Sequence, residues 1–169
     1  MKNLIILFAV AQFTLGASCK KENLNDLPPA TTTGKNIIGG YIDGQLFVSR
    51  RADLLSTDPN VSYYPNIPKI TFGGTSVLKP IAPAIGFSIT ENLGMHRITI
   101  TPGGKNSGGL IIKQPSEASI HYISDSGFIE FTRFDPAAKI YSGTFDVVFK
   151  SSSGKTIHFT EGRFDLLSF

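Results

Sequence analysis

The chain has 169 residues, a formal net charge of +3, 41% hydrophobic residues and only 17% charged ones. That balance is too apolar and too weakly charged for a disordered chain. The Lys and Arg residues are scattered, paired only at Lys20 with Lys21 and Arg50 with Arg51, so no basic stripe for nucleic acid is present.

The N-terminus has the layout of a secretion signal. Lys2 supplies a short positive region, residues 4–10 an apolar run, and Gly16, Ala17 and Ser18 the small residues ahead of Cys19. The run is shorter than the ~20 apolar residues that span a bilayer. Cys19 is the one cysteine, so it has no internal partner for a disulfide. It reads instead as a lipobox residue: cleavage falls between Ser18 and Cys19, residues 1–18 are the signal peptide, and the Cys19 sulfur takes a diacylglycerol. Leu15 stands four residues before the cysteine rather than the usual three, with Gly16 in that place. Two or more acyl chains, palmitate among them, hold a protein on a membrane at ~0.8 kcal/mol per buried methylene. The alternative is an ordinary signal peptide that ends by chance on a cysteine. Lys20 is no inner-membrane retention signal of the Asp type, which favours the outer membrane and leaves the leaflet open. Residues 19–35 are polar, carry Pro28, Pro29 and the run Thr31, Thr32, Thr33, Gly34, and are expected to form a flexible tether.

A single domain is expected over 36–169, at about 130 residues long enough for its own core. Enrichment in Phe, Ile, Thr, Ser and Gly favours strands over helices. Strands at 37–42 and 45–50 flank Asp43 and Gly44, a strong hairpin signal because both turn positions favour positive φ. Residues 51–68, with Asp58, Pro59, Asn60 and two further prolines, read as a long loop. A strand at 69–72 follows, then strands at 84–90 and 96–101 around an Asn92, Leu93, Gly94 turn. Residues 102–109 read as a glycine-rich turn. Strands follow at 110–113, 118–124 and 128–134, the last two parted by a turn at Asp125, Ser126 and Gly127. Residues 140–150 and 155–169 complete the set, and Ile157 and Phe159 alternate with His158 and Thr160, the period of a half-buried strand. The expected fold is an all-β antiparallel sandwich of about 8–10 short strands, with a small up-and-down barrel as the alternative.

Several stretches resemble a family of uncharacterised Bacteroidetes-type lipoproteins: Leu27-Pro28-Pro29-Ala30-Thr31-Thr32-Thr33-Gly34, then Gly39 with Asp43 and Gly44, and near the end Ser142-Gly143-Thr144-Phe145 and Glu161-Gly162-Arg163-Phe164-Asp165. Glu161 stands where that family has Asp, and Gly40 where many relatives have Cys. The resemblance implies a compact β domain on a lipid anchor and no particular chemistry. Gly143 and Gly162 would supply positive φ or a close backbone approach, and Arg163 a surface ion pair with Asp165 or Glu161.

Candidate chemistry is thin. His96, His121 and His158 lack metal-ligand spacing and read as solvent-facing, so no metal is expected. No serine sits in a Gly-x-Ser-x-Gly setting. The carboxylates Asp125, Glu130, Asp135, Asp146, Glu161 and Asp165 fall mostly at turns or outward positions, whereas glycoside hydrolysis needs a facing pair. The glycine-rich stretch at 102–109 lacks the Gly-Lys-Ser/Thr ending of a phosphate loop. Tyr63 and Tyr64 are the best binding candidates: in a proline-bounded loop, aromatic faces can stack on a sugar or pack on a protein. The competing reading has them cover one end of the core. The expectation is therefore a non-enzymatic, cofactor-free domain, anchored to the outer membrane by lipid and binding a protein or glycan partner. The alternatives are a structural envelope component without a ligand site and, behind it, a hydrolase.

Overall fold

A computed structural model describes residues 26–51, 58–78, 82–91, 93–112 and 119–169. Ser18 and Cys19, and with them the signal and lipidation readings, lie outside the described residues. Among the described residues ten strands occur in chain order: β1 (Ile37–Ile42), β2 (Gln45–Arg50), β3 (Asn60–Tyr64), β4 (Lys69–Thr75), β5 (Ala84–Ile89), β6 (Arg97–Ile100), β7 (Ser107–Ile112), β8 (Ile120–Asp135), β9 (Ile140–Ser151) and β10 (Thr156–Leu167). The all-β antiparallel fold is as expected. The strands form one sheet in the order β2-β1-β10-β9-β8-β7-β5-β4-β3, with β6 on β8.

That sheet curls on itself as a half-barrel. β2 comes against β4 and β3 against β10, and the Val77 N–H donates to the Val48 carbonyl at 2.8 Å. Period-2 alternation drives the curl, because one face of nearly every strand carries Ile or Phe. Their rings interlock: Phe72 stacks on Phe164 at 4.5 Å, Phe87 meets Phe145 edge-on at 5.0 Å and Phe47 meets Phe159 at 5.3 Å. Each such pair is worth ~0.5–1.5 kcal/mol beyond its area.

The Asp43-Gly44 hairpin forms as expected. Ile42 pairs directly with Gln45, and the two turn residues have φ of 46° and 79°. The turn is also fastened to β10, since the Asp43 carboxylate accepts from the His158 N–H at 2.8 Å. Elsewhere the punctuation was misleading. Residues 60–64 are not loop but β3; the prolines at 59, 65 and 68 bracket a strand at the end of the sheet, where they remove no ladder hydrogen bond. The Asp125, Ser126, Gly127 stretch is no turn but a bulge inside the 16-residue β8, with Gly127 at φ 129°. Nor do β5 and β6 form a hairpin: β5 pairs β4 and β7, while β6 pairs β8. β6 and β7 lie along the same edge of β8, as one strand interrupted by residues 101–106. Gly143 and Gly162 keep ordinary φ and serve close approach. A Cβ on Gly162 would stand 2.5 Å from the Phe145 ring.

The largest departure concerns the tether. Residues 27–35 do not hang free; they lie on the outer face of β1 and β10 as a strap. Asp165, only 1% exposed on β10, clasps it. Its Oδ2 accepts from Thr31 Oγ1 at 2.6 Å and from the Thr33 and Lys35 N–H groups at 3.1 and 3.3 Å. Its Oδ1 accepts from the Gly34 N–H at 2.7 Å and Ser142 Oγ at 2.6 Å. Arg163, expected to pair with Asp165 or Glu161, takes Glu161 as its partner at 3.8 Å and also donates to the Pro28 carbonyl at 3.0 Å. Arg133 donates to the Thr32 carbonyl at 2.7 Å. Asn36, at φ 55°, turns the strap into β1 and accepts from the Leu167 N–H at 2.8 Å.

Burial by itself would raise the Asp165 carboxyl, but hydrogen bonds from Ser142, Thr31, Gly34 and Thr33 outweigh it and hold the group below its ordinary value. A depressed folded pKa contributes stability that is complete above the unfolded value of ~3.9 and lost as pH falls through the folded one. Asp165→Asn is therefore expected to lower stability near neutral pH by about 2–3 kcal/mol. Below about pH 4 the wild type should lose more of its stability than the variant does. Thermal unfolding of both proteins across pH checks this, and the shared response of half-buried Asp135 cancels in the comparison.

Candidate functional site

The outer face of β3, β4, β5 and β7 carries an open trough of about 540 Å³. Strand register builds it. Gly73 pairs with Gly86 and Gly86 with Gly109, so three glycines lie side by side across three strands, with Asn60 of β3 opposite Gly73. The neighbouring rows are Thr71, Ser88, Ser107 on one side and Thr75, Ala84, Ile111 on the other. The floor is thus bare backbone and the walls are mainly hydroxyls. Asp58 closes one corner, its carboxylate accepting from the Thr75 N–H at 2.9 and 3.0 Å and from Ser49 Oγ at 3.4 Å. The volume lies within the roughly 300–1,000 Å³ range of ligand sites.

The three floor glycines are not equivalent. A Cβ on Gly73 would collide with the Ile85 carbonyl oxygen and come within 2.9 Å of the Gly86 Cα, so packing requires that glycine. A Cβ on Gly86 would find its nearest neighbour, the Phe72 carbonyl oxygen, at 3.9 Å, and one on Gly109 would find the Tyr122 carbonyl oxygen at 3.8 Å. Both have φ that any residue adopts. Neither turn geometry nor packing calls for glycine there, although glycine in a strand costs ~0.5–1 kcal/mol relative to alanine.

Tyr63 and Tyr64 lie on β3 rather than in a loop. The Tyr63 ring packs edge-on to Phe134 at 5.4 Å and tilted on Tyr141 at 5.9 Å, so it covers one end of the core. Tyr64 is 49% exposed. Tyr122 and Tyr141 are buried, and Tyr41 is half-buried. His96, His121 and His158 are exposed and far apart in the register. No three His, Cys, Asp or Glu side chains among the described residues gather as a metal site.

The carboxylates disperse. Asp165 is the clasp, Glu130 pairs with Arg97 at 2.9 Å, and Asp135 pairs with Arg133 at 2.8 Å. Asp146 and Glu161 do line a common hollow of about 320 Å³ between the strap and β8–β10, with Phe128, Arg163 and Ala30. The trough had escaped sequence reading because its glycines come together only through strand register. The one signal in the sequence was glycine inside otherwise strand-like runs.

No protein-family model, curated protein or solved structure matches the chain. Among the described residues no helix is long and apolar enough to cross a membrane.

Gly86→Ala and Gly109→Ala are each expected to leave stability unchanged or raise it by up to ~1 kcal/mol. Gly73→Ala should cost ~1–3 kcal/mol through overpacking. Chemical denaturation of the three variants tests the distinction.

Proposed function

We propose that the protein is a lipid-anchored, non-enzymatic domain of the cell envelope, held on the outer membrane through Cys19, and that its trough seats a segment of neutral glycan. The observation that carries the binding half is the pair Gly86 and Gly109. These are strand glycines that the fold does not need, and glycine in a strand often marks where something approaches the backbone closely. The walls favour a glycan over a protein. Thr71, Ser88, Ser107, Thr75 and Asn60 offer hydroxyl and amide groups, whereas the centre of a protein interface is typically aromatic and apolar. Among the described residues, Asp58 is the one charged side chain lining it, which suits a neutral chain. The anchoring half is supported by the signal layout, the single cysteine directly after Ser18, and the resemblance of both chain ends to Bacteroidetes-type lipoproteins.

Gly86→Leu tests the reading because it fills the trough from its floor at a site with room. Short neutral oligosaccharides titrated into the wild type and followed by amide NMR should shift resonances of 71–75, 84–88 and 107–109. They should shift none in Gly86→Leu, and the sugars should be recovered uncleaved. A wild type that responds to no oligosaccharide would favour a purely structural envelope role. In parallel, Cys19→Ser should abolish palmitate incorporation in the native host while leaving the thermal stability of the domain intact.

A further inference from the structure

Antiparallel pairing collects one set of strand ends and loops at a single end of the half-barrel. Tyr64 pairs with Lys69 across the β3–β4 tip. Ile70 pairs with Ile89, which sets the loop after β5 beside that tip. Tyr63 packs on Phe134 and Tyr141, where β8 turns into β9. Leu167 pairs with Ile140, and the Ser168 N–H donates to the Lys139 carbonyl at 2.9 Å, so the last residues of the chain join the same rim.

Among the described residues, four of the six exposed large apolar side chains lie on this rim: Tyr64 at 49%, Ile67 at 70%, Met95 at 70% and Phe169 at 75%. The other two, Val77 and Ile123, lie away from it. Cations surround the apolar groups. Lys35 and Lys139 are exposed, Lys69 stands at the foot of the β3–β4 tip, and Arg51 lies over the Phe169 ring at 4.7 Å. Among the described residues, three acids nearby are engaged: Asp135 with Arg133 at 2.8 Å, Glu91 with Lys105 at 2.7 Å, and Asp165 inside the clasp. An apolar tip ringed by Lys and Arg matches a bilayer surface with anionic headgroups, which attract the cations while apolar side chains enter the interface.

We infer that this rim is a membrane-docking surface, so that the half-barrel stands rim-down on the lipid layer that holds its anchor. The inference rests on the anchoring at Cys19 proposed above. Chain length is compatible with it. Asp26 lies seven positions after Cys19, at most about 25 Å of extended chain. Leu27 and Pro28 lie over Gly39, only three residues along β1 from Asn36 at the rim, or roughly 10 Å. A tether this short keeps the rim beside the bilayer and raises its effective concentration there. The trough, on the flank of the half-barrel, then opens along the membrane plane rather than into it.

The test uses the lipid-anchored protein reconstituted into vesicles of phosphatidylethanolamine and phosphatidylglycerol. Because acylation consumes the single native thiol, an introduced cysteine is the only one available to an environment-sensitive fluorophore. Ile67→Cys and Met95→Cys are placed on the rim, and Ser152→Cys at the opposite end, in the β9–β10 turn. All three positions are exposed, and unchanged melting of the labelled variants confirms the fold. The rim labels should shift to the blue and be quenched by lipids carrying a quencher in the acyl chain, while the Ser152→Cys label stays aqueous. Lys69→Glu with Lys139→Glu should reduce the blue shift. Rim labels as aqueous as the Ser152→Cys label would overturn the docking. Flotation with the vesicles, and its loss in Cys19→Ser, reports on the anchor separately. Protein that floats with aqueous rim labels sinks this inference alone, whereas protein that does not float sinks both.

Discussion

The carboxylate of Asp165 is where the two ends of the domain meet. It sits on the last strand, almost wholly out of water, and its two oxygens take five hydrogen bonds, four from the strap and one from Ser142 on β9. A buried carboxylate with no donors would carry a heavy desolvation cost. Here four of the five donors come from residues 130 to 134 positions away in the chain, so the group is satisfied only when the strap is in place. The clasp therefore makes docking of the strap and closure of the C-terminal strand one event. Residues 27–35, which look like part of a loose leash in the sequence, are thereby part of the rigid body.

That coupling gives the functional account its geometry. With the strap held, the anchor proposed at Cys19 would be only a few residues of chain from the half-barrel, and the apolar rim would stay within reach of the lipid surface. The trough is built on other strands, β3, β4, β5 and β7, whereas the clasp joins the strap to β9 and β10. Its floor depends on register alone, so the proposed binding surface and the clasp can change independently. The cost of keeping Gly86 and Gly109 in strands is carried by the aromatic core beneath them. Phe72 and Phe87 pack there against Phe164 and Phe145 on the far side of the sheet.

Much of the fold was legible where one local interaction decides the outcome. Asp43 and Gly44 specify their turn because the backbone there needs two positive φ angles, and Ile157 and Phe159 mark the buried face of β10 by simple alternation. Readings failed where a distant partner overrode local chemistry. Asp125, Ser126 and Gly127 carry turn residues, but β9 on one side and β7 and β6 on the other hold the chain straight, so a bulge absorbs the extra residue. Pro28, Pro29 and three threonines look like linker, and nothing nearby in sequence reveals that Asp165 awaits their donors. Tyr63 and Tyr64 were singled out together, yet alternation sends one ring into the end of the core and leaves its neighbour in water. The trough was invisible for the same reason as the clasp: Gly73, Gly86 and Gly109 become one surface only after three strands have chosen their register.

Amide hydrogen exchange at Thr33, Gly34 and Lys35 addresses the clasp most directly. These three N–H groups donate to a single buried carboxylate. If the strap is an integral part of the domain, they exchange about as slowly as amides in the centre of β10, through opening that approaches global unfolding. Exchange at the rate of a free peptide, with β10 still protected, would mean that the strap is a leash after all, and would remove the basis for the geometry described.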